Sequence, residues 1–339
     1  MIQIILLRVI MMKIKKRLQK PLVWAIALSI IIFAVIYVLF FNVQRTFHIT
    51  ETYRISLANG SETYLNVFLP VSGGYQTVSE YLVTGVDNYT IENNNEWSEL
   101  TAAVPANNSE VIITISYSVI LKRNAQPWDG EVLDMFTAPQ QYVDSDNEKI
   151  IAIAEQLRGN CDYETARNIL RYTHKTIRSP SRNSNRVNTA QLSASELLEN
   201  PVGVCGDYAI LMTALLRAGG IPARMISGLT LEVYRLRKAA DWSHRGTSHA
   251  WVEFFADGKW HFADPTWGKF EKSLPSHLSY GTYEMNMDSD FQKERLEVIE
   301  GAGFNVVGGM SAPLMFTVYS TDDNASVTPR ADVSFSMFR

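Results

Sequence analysis

The chain has 339 residues, 46% of them hydrophobic, and carries 31 Lys and Arg against 35 Asp and Glu, a formal net charge of -4. That length and apolar content suit two or three domains with buried cores and exclude a disordered chain, while the charge balance gives no basic face for nucleic acid. The two cysteines, Cys161 and Cys205, make neither a disulfide framework nor a zinc cluster; a single bridge between them stays open.

In chain order, residues 1–20 form a basic segment with Arg8, Lys13, Lys15, Lys16, Arg17 and Lys20. Residues 21–41 follow as a candidate membrane span, because the 20 residues from Leu22 to Phe41 hold only Ser29 and Tyr37 as polar side chains. Helical rise over that length covers a hydrocarbon core of ~30 Å. Only Arg45 is charged between the span and Thr50, so the positive-inside rule predicts a cytoplasmic N-terminus and an extracytoplasmic remainder. The run is too long for a signal-peptide core and no small-residue cleavage site follows it, which favours a single-pass anchor.

Residues 42–143 read as a β-rich domain. "TYRISLA", "ETYLNVFLP" and "VIITISYSVIL" alternate, with Val111, Ile113, Ile115, Tyr117, Val119 and Leu121 on one face, the pattern of half-buried strands in a small antiparallel sandwich. The Asn-rich stretch 87–110 between them reads as a long loop.

Past Asp144 the period becomes helical, and residues 144–285 read as a second domain. Helices are expected over "NEKIIAIAEQLRG" and "DYETARNILRYTHKTI", followed by a basic, Ser-rich exposed loop at 178–189 and a short helix opened by the capping-box pair Ser193 and Glu196. From Asp207 to Ala218 apolar residues return every three or four positions until Gly219-Gly220, which places Cys205 at a helix N-terminus, where backbone N–H groups and the helix dipole favour a thiolate. Cys161 also precedes a helix, beside Asp162 and Glu164, and Asp207 is a similar mark against Cys205, so position alone does not choose between the two thiols.

A nucleophilic thiol needs a base and the base an orienting group. The segment 247–268, "TSHAWVEFFADGKWHFADPTWG", holds two aromatic-rich runs around Asp257-Gly258, a strong hairpin signal. With those two residues as the turn, Ala256 faces Lys259, His261 faces Phe254, and His249 and Asp264 become diagonal neighbours on one face, close enough for a carboxylate to hold an imidazole. A one-residue bulge would separate them. The other histidines lack this context: His174 lies in a helix without an acid partner, and His48, His244 and His277 fall in loop-like or membrane-proximal stretches. Trp251, Trp260, Trp267, Phe254 and Phe255 read chiefly as hairpin core, with Trp242 as the better cleft wall.

"GVCGDYAILMTALLRAGGIPARMISG" followed by "HAWVEFFADGKWHFADPTWG" resembles the transglutaminase-like superfamily, whose core shares the Cys-His-Asp arrangement of papain-like enzymes; the likeness spans about residues 152–268. It implies an α+β fold with the helix-borne cysteine packed on an antiparallel sheet, and assigns Cys205 as nucleophile, His249 as base and Asp264 as orienting acid. The preceding β-rich segment is similar to the β-domain that often precedes such cores in bacterial membrane-linked members. The implied chemistry is acyl transfer from a protein or peptide amide through a thioester, ending on an amine or on water. Tyr172 and Gln191 are candidates for a second oxyanion donor beside the Cys205 N–H. No acidic stretch reads as a calcium loop, so neither metal nor cofactor is expected. The rival reading is a non-catalytic assembly or binding module that keeps the fold as scaffold. Residues 286–339 carry a candidate strand, "APLMFTVYS", a short helix near 291–299 and no assigned role.

Overall fold

The computed structural model describes residues 28–29, 44–58, 60–93, 97–106, 109–123, 127, 130–179, 192–231, 248–272, 276–282, 301–311 and 314–336. The expected membrane span, apart from Leu28 and Ser29, and the expected helix near 291–299 lie outside them. Among the described residues no helix is long and apolar enough to cross a membrane. Residues from Gln44 onward form one compact unit.

Seven strands come first: β1 (Gln44–Ser56), β2 (Thr63–Leu69), β3 (Gln76–Val78), β4 (Leu82–Thr84), β5 (Tyr89–Asn93), β6 (Ser98–Ala103) and β7 (Glu110–Lys122). Among the described residues a 3-10 turn (Asp134–Phe136) and then four α-helices follow: α1 (Glu148–Gln156), α2 (Asp162–Thr176), α3 (Ala194–Glu199) and α4 (Cys205–Ala218). The strands β8 (Ala223–Thr230), β9 (Ser248–Ala256), β10 (Lys259–Asp264), β11 (Lys269–Phe270) and β12 (His277–Thr282) come next. The chain closes with β13 (Asn305–Ser311), β14 (Leu314–Ser320) and β15 (Ser326–Ser336).

Three antiparallel sheets result. β15-β1-β7-β3, with β4 also on β7, faces β13-β14-β2-β6-β5 in a sandwich, and β11-β10-β9-β8-β12 forms the third sheet. The sandwich therefore does not end at residue 143: the C-terminal segment supplies a strand to one of its sheets and two to the other. The stretch 87–110 is not one loop. Its Ser98, Leu100 and Ala102 alternate inward on β6, which pairs with both β2 and β5; small and polar side chains on a buried face hid the period. β1 also begins earlier than its most regular alternation suggests, so His48 is a strand residue bonded to Ser118 at 2.8 Å.

The third sheet is covered on both sides. Ala223, Met225, Val252, Phe254 and Ala263 pack with the helices, whereas Leu229, Leu231, Leu278 and Tyr280 join the core of the sandwich. This explains why β8, "ARMISGLT", is buried at every position, a property of strands with no solvent face. Gly228 is needed there: a Cβ would lie 2.2 Å from the Leu278 carbonyl oxygen and 2.5 Å from the Trp251 ring. The two layers are further tied by a buried polar chain. Trp251 donates to the Tyr75 hydroxyl at 3.2 Å, Tyr75 donates to Glu253 at 3.0 Å, and Glu253 accepts from Arg224 at 2.7 Å. The Arg224 guanidinium also lies 3.9 Å from the centre of the Trp260 ring.

Candidate active site

Cys205 opens α4. Val204 caps the helix in extended conformation, and its N–H donates to the Asp207 carboxylate at 2.7 Å. Gly203 makes this turn, since a Cβ there would lie 2.4 Å from the Asp207 side chain. The Asp207 carboxylate beside the thiol is thus engaged by the helix's own first turn. Beyond it, Tyr208 to Leu216 are all buried, because α4 is enclosed by the other helices and the third sheet. The thiol is anchored on this enclosed helix, with Sγ 3.9 Å from the Ser248 carbonyl oxygen of β9.

One residue further along β9, His249 is buried, and the Cys205 sulfur is close enough to favour its charged form. Asp257 and Gly258 adopt φ of 50° and 77°, the left-handed pair of a type I′ turn, so β9 and β10 stay in the expected register: Lys259 opposes Ala256 and His261 opposes Phe254. No bulge intervenes down to the Ala263–Val252 pair. His249 Nε2 accordingly meets Asp264 Oδ2 at 2.9 Å. With Nε2 committed to the carboxylate, Nδ1 is the nitrogen left for the sulfur. Cys205, His249 and Asp264 stand in one row.

Two neighbours complete the row. Asp264 Oδ1 accepts the Trp267 backbone N–H at 3.1 Å, and the Trp267 ring stacks on His249 with centroids 4.5 Å apart and an interplanar angle of 18°. Trp251 and Trp260 are core residues as expected, but Trp267 covers the imidazole. The second neighbour is His277, which begins a fully buried strand rather than a loop; its Nε2 lies 3.2 Å from the same Asp264 Oδ2. Its segment, "SHLSYGT", lacks an apolar alternation because both faces of β12 are covered, so periodicity gave no signal.

Burial pulls the His249 pKa down, but the bond to Asp264 and the nearby Cys205 sulfur outweigh it and raise it from 6.5 to about 9. Burial likewise pushes Asp264 up, and donation from His249 and His277 holds it at about 2 instead. The imidazole is therefore charged at neutral pH and the carboxylate ionised.

His174 hydrogen-bonds the Pro265 carbonyl oxygen at 2.9 Å, bracing the turn after Asp264. His261 sits away from the site on Glu271. Cys161 is exposed at the N-cap of α2 and unbonded to Cys205, both thiols being free. Tyr172 packs against the helical core; Gln191, Trp242 and His244 lie outside the described residues. The ligand-type atoms of His249, Asp264 and His277 lie within 4.8 Å of one another, a spacing compatible with a metal ion. Both nitrogens already face one carboxylate oxygen, so hydrogen bonding accounts for the cluster.

The helix-borne thiol, the strand-borne imidazole and the carboxylate on the next strand come together as the sequence resemblance implies. Residues 135–265 match the profile of the transglutaminase-like superfamily. The structure is similar to the crystal structure of a candidate cysteine protease from Cytophaga hutchinsonii, with TM-score 0.54 and 18% identity over 87% of this chain and 91% of that one. The periplasmic domain of TgpA from Pseudomonas aeruginosa is a more distant likeness, with TM-score 0.35 and 16% identity over 64% of this chain and 88% of that one. An uncharacterised protein of Mycobacterium leprae is 37% identical over 75 residues, 22% of this chain; the match spans about a quarter of that relative's length, 25%.

Proposed function

We propose that this protein is a cysteine acyltransferase or hydrolase that acts on protein or peptide amide bonds through a thioester on Cys205. The observation that carries the reading is the convergence of Cys205, His249 and Asp264, with His249 beside the sulfur and bonded to Asp264 at 2.9 Å. The sulfur attacks the amide carbonyl carbon; the developing oxyanion is met by the Cys205 N–H, a first-turn amide without an intrahelical acceptor. His249 then protonates the leaving nitrogen, so that ammonia or an amine departs and a thioester remains. Water or a second amine, losing its proton to His249, attacks the thioester and frees the thiol. Asp264 holds the ring by Nε2 and stabilises its positive charge.

The apolar run at 21–41 and the basic residues before it support an anchor that holds the catalytic domain outside the cell membrane, where surface proteins and peptides are the substrates within reach. The test is to incubate the full chain with cell-surface protein and a labelled primary amine and to map the products by mass spectrometry. Amine incorporation defines a transferase, and cut bonds define a protease or amidase. Either must vanish in Cys205→Ala; identical products from the variant would leave the fold as a scaffold.

A further inference from the structure

The part of the site that the row of three does not use is His277. It is completely buried, and its ring is enclosed by Trp251 at 5.1 Å, Phe262 at 5.3 Å and Trp267 at 5.1 Å between centroids. Burying an imidazole among aromatic rings is costly unless its polar atoms are bonded, and a leucine would fill such a space at less cost. The Nε2 contact at 3.2 Å points at the same oxygen that His249 uses. A carboxylate oxygen is only an acceptor, so both nitrogens bring protons to it.

We propose that His277 is a positioning residue, whose second N–H on Asp264 Oδ2 locks the carboxylate in the orientation that holds His249 toward Cys205. The terminal torsion of an aspartate is broad and soft, so its orientation has to come from its partners. One donor on Oδ2 would let the group swing at the loss of one bond; two donors there, with the Trp267 N–H on Oδ1, leave a single arrangement.

His277 is itself held from outside the catalytic sheet. Its strand pairs with β8 through His277 opposite Thr230, and two residues on, the Gln76 side chain grips the Ser279 backbone. Gln76 accepts the Ser279 N–H at 2.7 Å and donates to the Ser279 carbonyl oxygen at 2.8 Å. Gln76 belongs to β3, so the sandwich fixes the strand from which His277 reaches the carboxylate. This gives the β-domain a part in the geometry of the site.

The proposal rests on the catalytic reading, and its test separates the two. The full-length wild type, His277→Gln and His277→Leu are treated with iodoacetamide at pH 6, and labelling of Cys205 and Cys161 is followed by peptide mapping. Glutamine keeps an N–H donor at similar reach, whereas leucine fills the space without one. Losing one hydrogen bond to a charged group predicts labelling of Cys205 about tenfold slower in the leucine variant and within about threefold of wild type in the glutamine variant, with Cys161 unchanged. Leucine labelling as fast as wild type, or glutamine as slow as leucine, overturns the role of His277. Wild-type Cys205 reacting no faster than Cys161 removes the catalytic reading and this proposal with it. Should the leucine chain fail to fold, the wild-type imidazole nitrogen spectrum decides: a His277 Nε2–H tautomer is required, and an Nδ1–H tautomer refutes it.

Discussion

Replacing Asp264 by asparagine tests the origin of the His249 charge. In the wild type, burial opposes the imidazolium while Asp264 and Cys205 sustain it, and the result is a pKa near 9 against an ordinary 6.5. The substitution removes the charge of Asp264 and one of its two accepting oxygens but leaves burial in place, so the His249 pKa should fall by about 2 units or more. That corresponds to about 3 kcal/mol of lost preference for the charged ring. With its one oxygen kept by the Trp267 N–H, the amide turns its NH2 toward Nε2, which drives the neutral ring to the Nδ1–H tautomer and leaves no lone pair to take the Cys205 proton. By that logic turnover should drop about 10³- to 10⁴-fold. The assay is a pH titration of the imidazole by nitrogen-detected NMR on both chains. A variant ring that still titrates near 9 in the Nε2–H form would refute the assignment of Asp264 as the group holding His249.

Three further outcomes follow from the same geometry. The raised His249 pKa gives stability that is complete below pH 6.5 and lost as pH rises through about 9, and the depressed Asp264 pKa gives stability complete above pH 3.8 and lost as pH falls toward about 2. Both describe one ion pair, worth about 3 kcal/mol when counted once; urea midpoints should therefore be highest between those limits, and the dependence should flatten in Asp264→Asn. Gly228→Ala forces a Cβ to 2.2 Å from the Leu278 carbonyl oxygen, and should destabilise the chain by about 1 to 3 kcal/mol, read as a fall in the melting temperature. Trp267→Ala removes the ring stacked on the imidazolium, a contact worth about 1 kcal/mol, and should lower the His249 pKa by roughly half to one unit in the same NMR titration with little change in unfolding.

The helices and the catalytic hairpin were legible because their signals are local. Capping at Ser193, the helical period after Asp207 and the Asp257-Gly258 turn each act within a few residues, and the turn alone set the register that brings His249 to Asp264. What escaped reading depends on contacts distant in sequence. β8 and β12 have no solvent face, so neither shows the alternation of a half-buried strand. His277 looked like a loop histidine because its strand is written in serine and glycine, and its partners, Gln76 on β3 by way of Ser279 and Asp264 on β10, come from two other parts of the chain. The C-terminal strands were equally opaque. β15 pairs with β1 across 270 residues or more, with Ser326 opposite Ser56, and carries Pro329 on an edge strand where a missing N–H is tolerated.

The central claim is that His249 activates the sulfur of Cys205, and the chain carries its own reference thiol in Cys161, which is the more exposed of the two. The direct measurement is the ratio of their alkylation rates at pH 6 in the wild type and in His249→Ala. Activation predicts that Cys205 reacts at least tenfold faster than Cys161 despite its lower exposure, and that the advantage disappears in the variant. Equal rates in the wild type, or an advantage that survives without the imidazole, would contradict it.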